Sequence, residues 1–244
     1  MLKTSRRPSI GFFLSGFTVA LLFPGGAAAQ QPAGGGAAAL QEKLAAVKQA
    51  VAANQAALRQ YRWTETTQFS LNGEVKSTKQ SACQYGADGK PQCSPIGQQP
   101  PPQQQGGLRG RIAERKKEEV TDYMQQVKGV IGLYVPPDAA RMQAAHAAGN
   151  TSLSMPTAGE AALVIKSYSL PGDQMTLDFA MATKKLAALS VNSYLGDPSS
   201  PVKLSVQFAP LPGGPNYPAQ VVVNAPAKGI QVTTTNSNYQ KLGP

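Results

Sequence analysis

Histidine is almost missing from this chain of 244 residues, and His146 is the only one. A lone imidazole in Gln143-Ala-Ala-His-Ala-Ala-Gly149 gives nucleophilic catalysis no evident base beside a nucleophile, and reads as a surface or boundary residue. Cysteine is equally scarce. Cys83 and Cys93 do not form a C-x-x-C pair, and with one histidine elsewhere they supply no zinc set. Acids are outnumbered, 13 Asp and Glu against 23 Lys and Arg. Carboxylate chemistry needs two convergent acids, and only Glu65 stands out, on the strand face of Trp63 and Phe69. A carboxylate facing an apolar cavity has a raised pKa and can act as a functional acid; strand-end exposure or pairing with a lysine is the plainer reading. No glycine-rich phosphate loop follows a strand. No catalytic residue, metal or cofactor is expected, and the chain reads as non-enzymatic.

Long hydrophobic runs are absent as well. Ile10 to Phe23 spans 14 residues, short of the roughly 20 that cross a bilayer. Lys3, Arg6 and Arg7 precede it, Pro24-Gly25-Gly26 breaks it, and Ala27-Ala28-Ala29 follows. Charge, short apolar run and a small-residue site in that order read as a secretory signal peptide over residues 1–29, cleaved before Gln30. Ser5-Arg6-Arg7 hints at a twin-arginine signal, but Pro8-Ser9-Ile10 fits that pattern poorly. The expected location is periplasmic or secreted, with a soluble mature chain. Loss of the leader lowers the formal charge from +10 to +7. After export, that balance points to an anionic membrane surface or an acidic envelope protein rather than nucleic acid, or to solubility alone.

What remains divides into a Gly/Pro/Gln linker at 30–37 and one domain at 38–244. Leu40, Leu44, Val47, Val51, Leu58 and Tyr61 recur at helical spacing. The period then drops to two: Tyr61, Trp63, Phe69 and Leu71 face one way, Arg62, Thr64, Thr66 and Gln68 the other. Asn72-Gly73 turns the chain into a polar strand ending near Tyr85, and Asp88-Gly89 turns it again. Residues 95–107 are Gln/Pro/Gly-rich and read as a loop. Ile112 to Val135 is a second helix with Val120, Tyr123, Met124, Val127, Ile131 and Tyr134 on one side, and a third, alanine-rich helix runs from Pro137 to Gly149.

From Ala161 on, six alternating segments follow one another across short turns, which makes neighbours antiparallel with one buried face. No strand-helix-strand crossover is present. The fold class is therefore α+β, a curved open antiparallel sheet of about nine strands with helices over one face. Trp63, Phe69, Leu177, Phe179, Leu204, Val206 and Phe208 are the candidate apolar, ligand-binding face. Arg109, Arg111, Arg115, Lys116 and Lys117 form a basic run at a helix start, where positive charge opposes the dipole. They are a candidate surface for a membrane or a partner, against the plainer reading of a solvated helix face.

The order of these elements resembles the outer-membrane lipoprotein-carrier superfamily, the LolA-like and lipoprotein-sorting proteins. The phrases Tyr61-Arg-Trp-Thr-Glu-Thr-Thr67, Asn72-Gly-Glu-Val-Lys-Ser77, Tyr134-Val-Pro-Pro-Asp138 and Val202-Lys-Leu-Ser-Val-Gln-Phe208 also resemble a group of uncharacterised secreted bacterial proteins. The resemblance implies an open half-barrel whose concave face shelters acyl chains, and thus lipid or lipoprotein binding. It further implies an early-strand arginine that closes the lid by bonding helix carbonyls. Arg62 is on such a strand, but its parity sets it opposite Trp63 and Phe69. The other function class is an envelope interaction module with a packed core and no ligand; an open apolar groove between sheet and helices would separate the two.

Cys83 and Cys93 stand symmetrically about Asp88, so two strands folded at that turn oppose them. In an oxidising compartment this is a cross-strand disulfide. The loop it closes is short, so its contribution is about 2–3 kcal/mol in the chain-entropy model. Replacing both cysteines with serine is expected to lower the melting temperature by roughly 4–12 °C while ligand binding persists; lost binding at unchanged stability would make the pair functional instead.

Overall fold

The computed structural model describes residue 49 and residues 52–97, 107–183 and 185–243, with the side chains of 107–110 excepted. The leader, the linker, most of the first expected helix and residues 98–106 of the Gln/Pro-rich loop lie outside the described residues.

Residues 52–58 are helical and form α1. Ten strands follow in one antiparallel sheet: β1 (Tyr61–Leu71), β2 (Glu74–Tyr85), β3 (Pro91–Pro95), β4 (Thr151–Ser154), β5 (Glu160–Lys166), β6 (Gln174–Ala180), β7 (Lys185–Tyr194), β8 (Pro201–Pro210), β9 (Asn216–Ala225) and β10 (Ile230–Lys241). Their spatial order is β3-β2-β1-β10-β9-β8-β7-β6-β5-β4, with the sheet left open. The first strand thus pairs with the last, with Phe69 opposite Val232 and Leu71 opposite Ile230. Two helices, α2 (Gly107–Ile131) and α3 (Ala139–Ala147), are inserted between β3 and β4.

The period-two segments fall where the alternation places them. The sequence missed β4, whose Thr151-Ser-Leu-Ser154 has a single apolar residue; it forms because β5 offers it a ladder, Leu153 opposite Leu163. The second helix ends at Ile131, not Val135, and a turn carries the chain to Pro136. Asp138 caps α3, its Oδ1 accepting from the Arg141 amide at 2.8 Å. Asn72 and Gly73 both take positive φ, 52° and 81°, as a two-residue hairpin turn of the primed kind needs. The Cys83–Cys93 disulfide is present, with the two residues paired across β2 and β3 at a Cα separation of 4.1 Å. That is close to the nearer spacing of opposed residues in an antiparallel ladder.

One row of inward side chains crosses the sheet through register: Ser77, Phe69, Val232, Val223, Leu204, Val191, Met175, Ile165. Its far end is closed, with Met175 and Ile165 fully buried. Its near end is half open: Phe69, Val232 and Val223 are partly covered and Ser77 is exposed. The closed end belongs to the core that Val127, Val130, Tyr134 and Ala145 of the helical insertion cover.

A buried polar knot fixes that end. The Asp173 carboxylate, 2% exposed, accepts from the amides of Tyr168 (2.6 Å), Ser169 (2.9 Å) and Leu170 (2.6 Å) and from the Tyr134 hydroxyl (2.5 Å). Tyr134 Oη also lies 2.8 Å from Ser193 Oγ on β7. Tyr168 Oη in turn accepts from the Asp138 amide ahead of α3. A buried carboxylate is tolerable when its lone pairs are filled in this way. Tyr134→Phe removes one charge-assisted donor and is expected to cost about 1.5–3 kcal/mol, read as a lower denaturant midpoint at unchanged slope.

Candidate functional site

The helix α2 has two unlike halves. Residues 111–119, Arg-Ile-Ala-Glu-Arg-Lys-Lys-Glu-Glu, are exposed on every side. From Val120 on, Tyr123, Met124, Val127, Val130 and Ile131 turn toward the sheet at three- and four-residue spacing. Where the helix crosses β1, β9 and β10, its side chains do not meet the floor fully. The result is an open groove of about 770 Å3, within the roughly 300–1,000 Å3 typical of small-molecule sites. Phe69, Leu71, Val223 and Val232 form its floor, and Val120, Met124, Val127 and Ile131 its roof. The polar lining residues are Thr67, Ser77, Thr121 and Gln125, joined by Lys79, Lys116, Lys117 and Lys128.

Of the seven expected apolar-face residues, Phe69 alone lines this groove. Leu177, Leu204 and Val206 share its sheet face but are buried in the packed core, and Phe179 and Phe208 pack against that core. Trp63 belongs elsewhere. It is buried, stacked on Tyr239 at a ring separation of 5.5 Å and tilted against Tyr85 at 5.0 Å; Tyr217 lies 4.3 Å from Tyr239. This aromatic cluster is a second packing centre at the start of β1. Alternation puts Phe69, Leu177, Leu204 and Val206 on one face, but it carries no information on where along that face the helix lifts away. The roof residues of α2 were visible as one stripe in the sequence, though not as a wall.

The five basic residues split likewise. Lys116 and Lys117 line the groove, whereas Arg111 and Arg115 are exposed on the free half of α2 without lining it. The Arg109 side chain lies outside the described residues. The Arg62 guanidinium donates to Gln240 Oε1 on β10, from Nε at 3.0 Å and from Nη2 at 2.8 Å. Among the described residues Arg62 finds no helix carbonyl of the kind that the lid-closing role implied by the resemblance would use. His146 is exposed, with Nδ1 2.9 Å from Thr151 Oγ1.

Glu65 is half-buried on the concave face, opposite Asn236 and Ser81, and does not line the groove. Its carboxylate and the two cysteine sulfurs approach within 4.8 Å of one another, but the ligating form of cysteine is the thiolate, and these sulfurs are bonded to each other. Asp178, on the opposite sheet face, is raised above the ordinary carboxylate range by burial and then by the nearby Glu160. Asp178 and Glu65 are thus on opposite faces and do not converge.

No family model matches the sequence, and no curated protein matches it. Two solved structures are similar to this chain. One is a DUF1329 family protein from Desulfovibrio piger, 10% identical, with 81% of this chain and 92% of that one covered at a TM-score of 0.36. The other is a LolA superfamily protein from Nitrosomonas europaea, 12% identical, with 82% and 94% covered at a TM-score of 0.37. Among the described residues no helix is long and apolar enough to cross a membrane.

Two phenols in these packing centres are held neutral. Burial pushes the Tyr239 hydroxyl well above its ordinary value, with Tyr85 and Tyr217 adding to the effect. Burial, followed by the hydrogen bond to Asp173, does the same to Tyr134. Below the ordinary tyrosine pKa near 10 both states of the chain keep these protons, and the contribution to stability is complete. Above it the unfolded chain ionises first, so stability is expected to fall as pH rises toward the folded values. Denaturant midpoints measured from neutral to strongly alkaline pH check this, and tyrosinate absorbance from these two groups should appear only with unfolding.

Proposed function

We propose that this chain is a non-enzymatic, exported protein that binds a lipid or another apolar molecule in the groove between α2 and strands β1, β9 and β10. The observation that carries the reading is the contrast along one inward row. Leu204, Val191, Met175 and Ile165 are packed shut, while Phe69, Val232 and Val223 are left partly uncovered beneath a helix whose facing side is also apolar. Apolar surface left open to water costs about 25 cal/mol per Å2 relative to burial, and a concave apolar pocket with a few polar groups is the usual form of a small-molecule site. The leader-like first 29 residues and the cysteine pair support an envelope location, periplasmic or secreted. Lipoprotein acyl chains are one source of such a ligand.

The reading is tested by titrating the mature protein with an uncharged environment-sensitive dye and by mass spectrometry of lipid extracted from protein purified from its own envelope. Saturable binding and a co-purifying lipid are expected. Val120→Trp places a large side chain in the roof and is expected to weaken dye binding at least tenfold with the circular dichroism spectrum unchanged. Protein that is consistently empty and binds no dye sinks the proposal.

A second reading rests on the free half of α2. Nine successive residues exposed all round are unusual for a helix inside a domain, and Arg111, Arg115, Lys116 and Lys117 stand there. That arm is a surface for an anionic membrane or an acidic envelope protein, by which a carrier would dock.

A further inference from the structure

We propose that the groove selects a lipid whose head is negatively charged, with the chain lying between α2 and the sheet and the head held at the groove's lysines. This rests on the groove being a lipid site, and it assigns the charge of the ligand and the residues that read it. Four of the lining residues are lysines, Lys79 on β2 and Lys116, Lys117 and Lys128 on α2, and no lining residue is acidic. Glu118, Glu119 and Asp122 are on the same helix but outside the lining, and the one salt bridge among the described residues is Lys76 with Glu74, away from the groove.

Lys79 is the telling member. It pairs with Thr67 and has the parity of Ser77, opposite Phe69, so it stands exposed on the groove side of β2, two residues along from the row that contains Phe69. A lysine at an inward position of a sheet is uncommon unless its ammonium can reach water or an anion. Here it faces the helix that brings Lys116 and Lys117 to the same groove. Long lysine stems lie along apolar surface with the charge at the edge, which matches an amphiphile: methylenes against the walls, anion against the ammonium groups. Like charges gathered without counter-acids repel one another, and an anionic ligand relieves that repulsion.

The test uses one chain with three heads: dodecyl phosphate, dodecyl maltoside and dodecyltrimethylammonium, each below its micelle concentration, titrated into the mature protein by calorimetry. Dodecyl phosphate is expected to bind about 10–100-fold tighter than the maltoside, at roughly a factor of several per lysine after screening, and the cationic amphiphile weakest. The Lys79→Gln, Lys116→Gln, Lys117→Gln, Lys128→Gln variant is expected to lose this preference while keeping maltoside affinity. A control with Lys166, Lys203, Lys228 and Lys241 changed to glutamine removes the same charge at exposed positions outside the groove and is expected to keep it. Equal affinity for all three heads overturns the inference but leaves the lipid site standing. Loss of preference in the control overturns it in favour of net charge alone. Binding of none of the three removes the lipid site, and a concentration-dependent dimer in that case gives the groove to a second copy of the chain.

Discussion

The Asp173 carboxylate is the point from which the geometry of the insertion is set. Three successive amides and the Tyr134 hydroxyl all converge on it, and Tyr134 is only three residues beyond the end of α2. A helix tied down at one end and crossing a curved sheet must diverge from it somewhere along its length. The tie is over β5 to β7, so the divergence falls over β1, β9 and β10. Packing on the tied side is complete. On the other side the inward residues of sheet and helix face each other without interlocking, and the groove is the space that results.

The composition of the strands follows from this division. Strands β5 to β8 carry apolar residues at inward positions because the helical insertion packs onto that face. Strand β2 carries Ser77, Lys79 and Ser81 inward, since it extends past the helix. Strand β1 is intermediate, with Leu71 and Phe69 under α2, then Thr67 and Glu65, then Trp63 in its own aromatic cluster. A single strand thus passes through groove floor, polar midsection and a second packing centre.

The architecture was legible in the sequence because alternation and turn residues are local: Asn72-Gly73 and Asp88-Gly89 set the hairpins, and the Val202-Leu204-Val206-Phe208 series fixed a face. What period two cannot encode is the height of the layer above that face. Leu204 and Phe69 look alike in the sequence, yet the first is beneath packed helix and the second beside open space. The same limit applies to the basic run, where only a three-dimensional crossing separates Lys116 and Lys117, at the groove, from Arg111 and Arg115, in solvent. In the sequence Lys79 is indistinguishable from the other lysines of a polar strand, and only the register of β2 on β1 sets it apart. The short β4 was missed because its polar residues are recruited by a neighbour's ladder rather than by burial.

The pairing of β1 with β10 has a consequence for the order in which the molecule can be assembled. Half of the groove floor comes from the front of the chain and half from its last two strands. A polypeptide that is made, or drawn through a membrane, from its N-terminus therefore keeps β1 and its hairpin without a docking edge until β10 has arrived. The central strands and α2 can settle against one another first, since their contacts are nearer in sequence. Pairing β1 with β10 closes the longest loop of the sheet and carries its largest loop-closure entropy. The groove floor thus needs both ends of the described chain, and a chain shortened at its C-terminus would lose half of that floor together with the partner of β1.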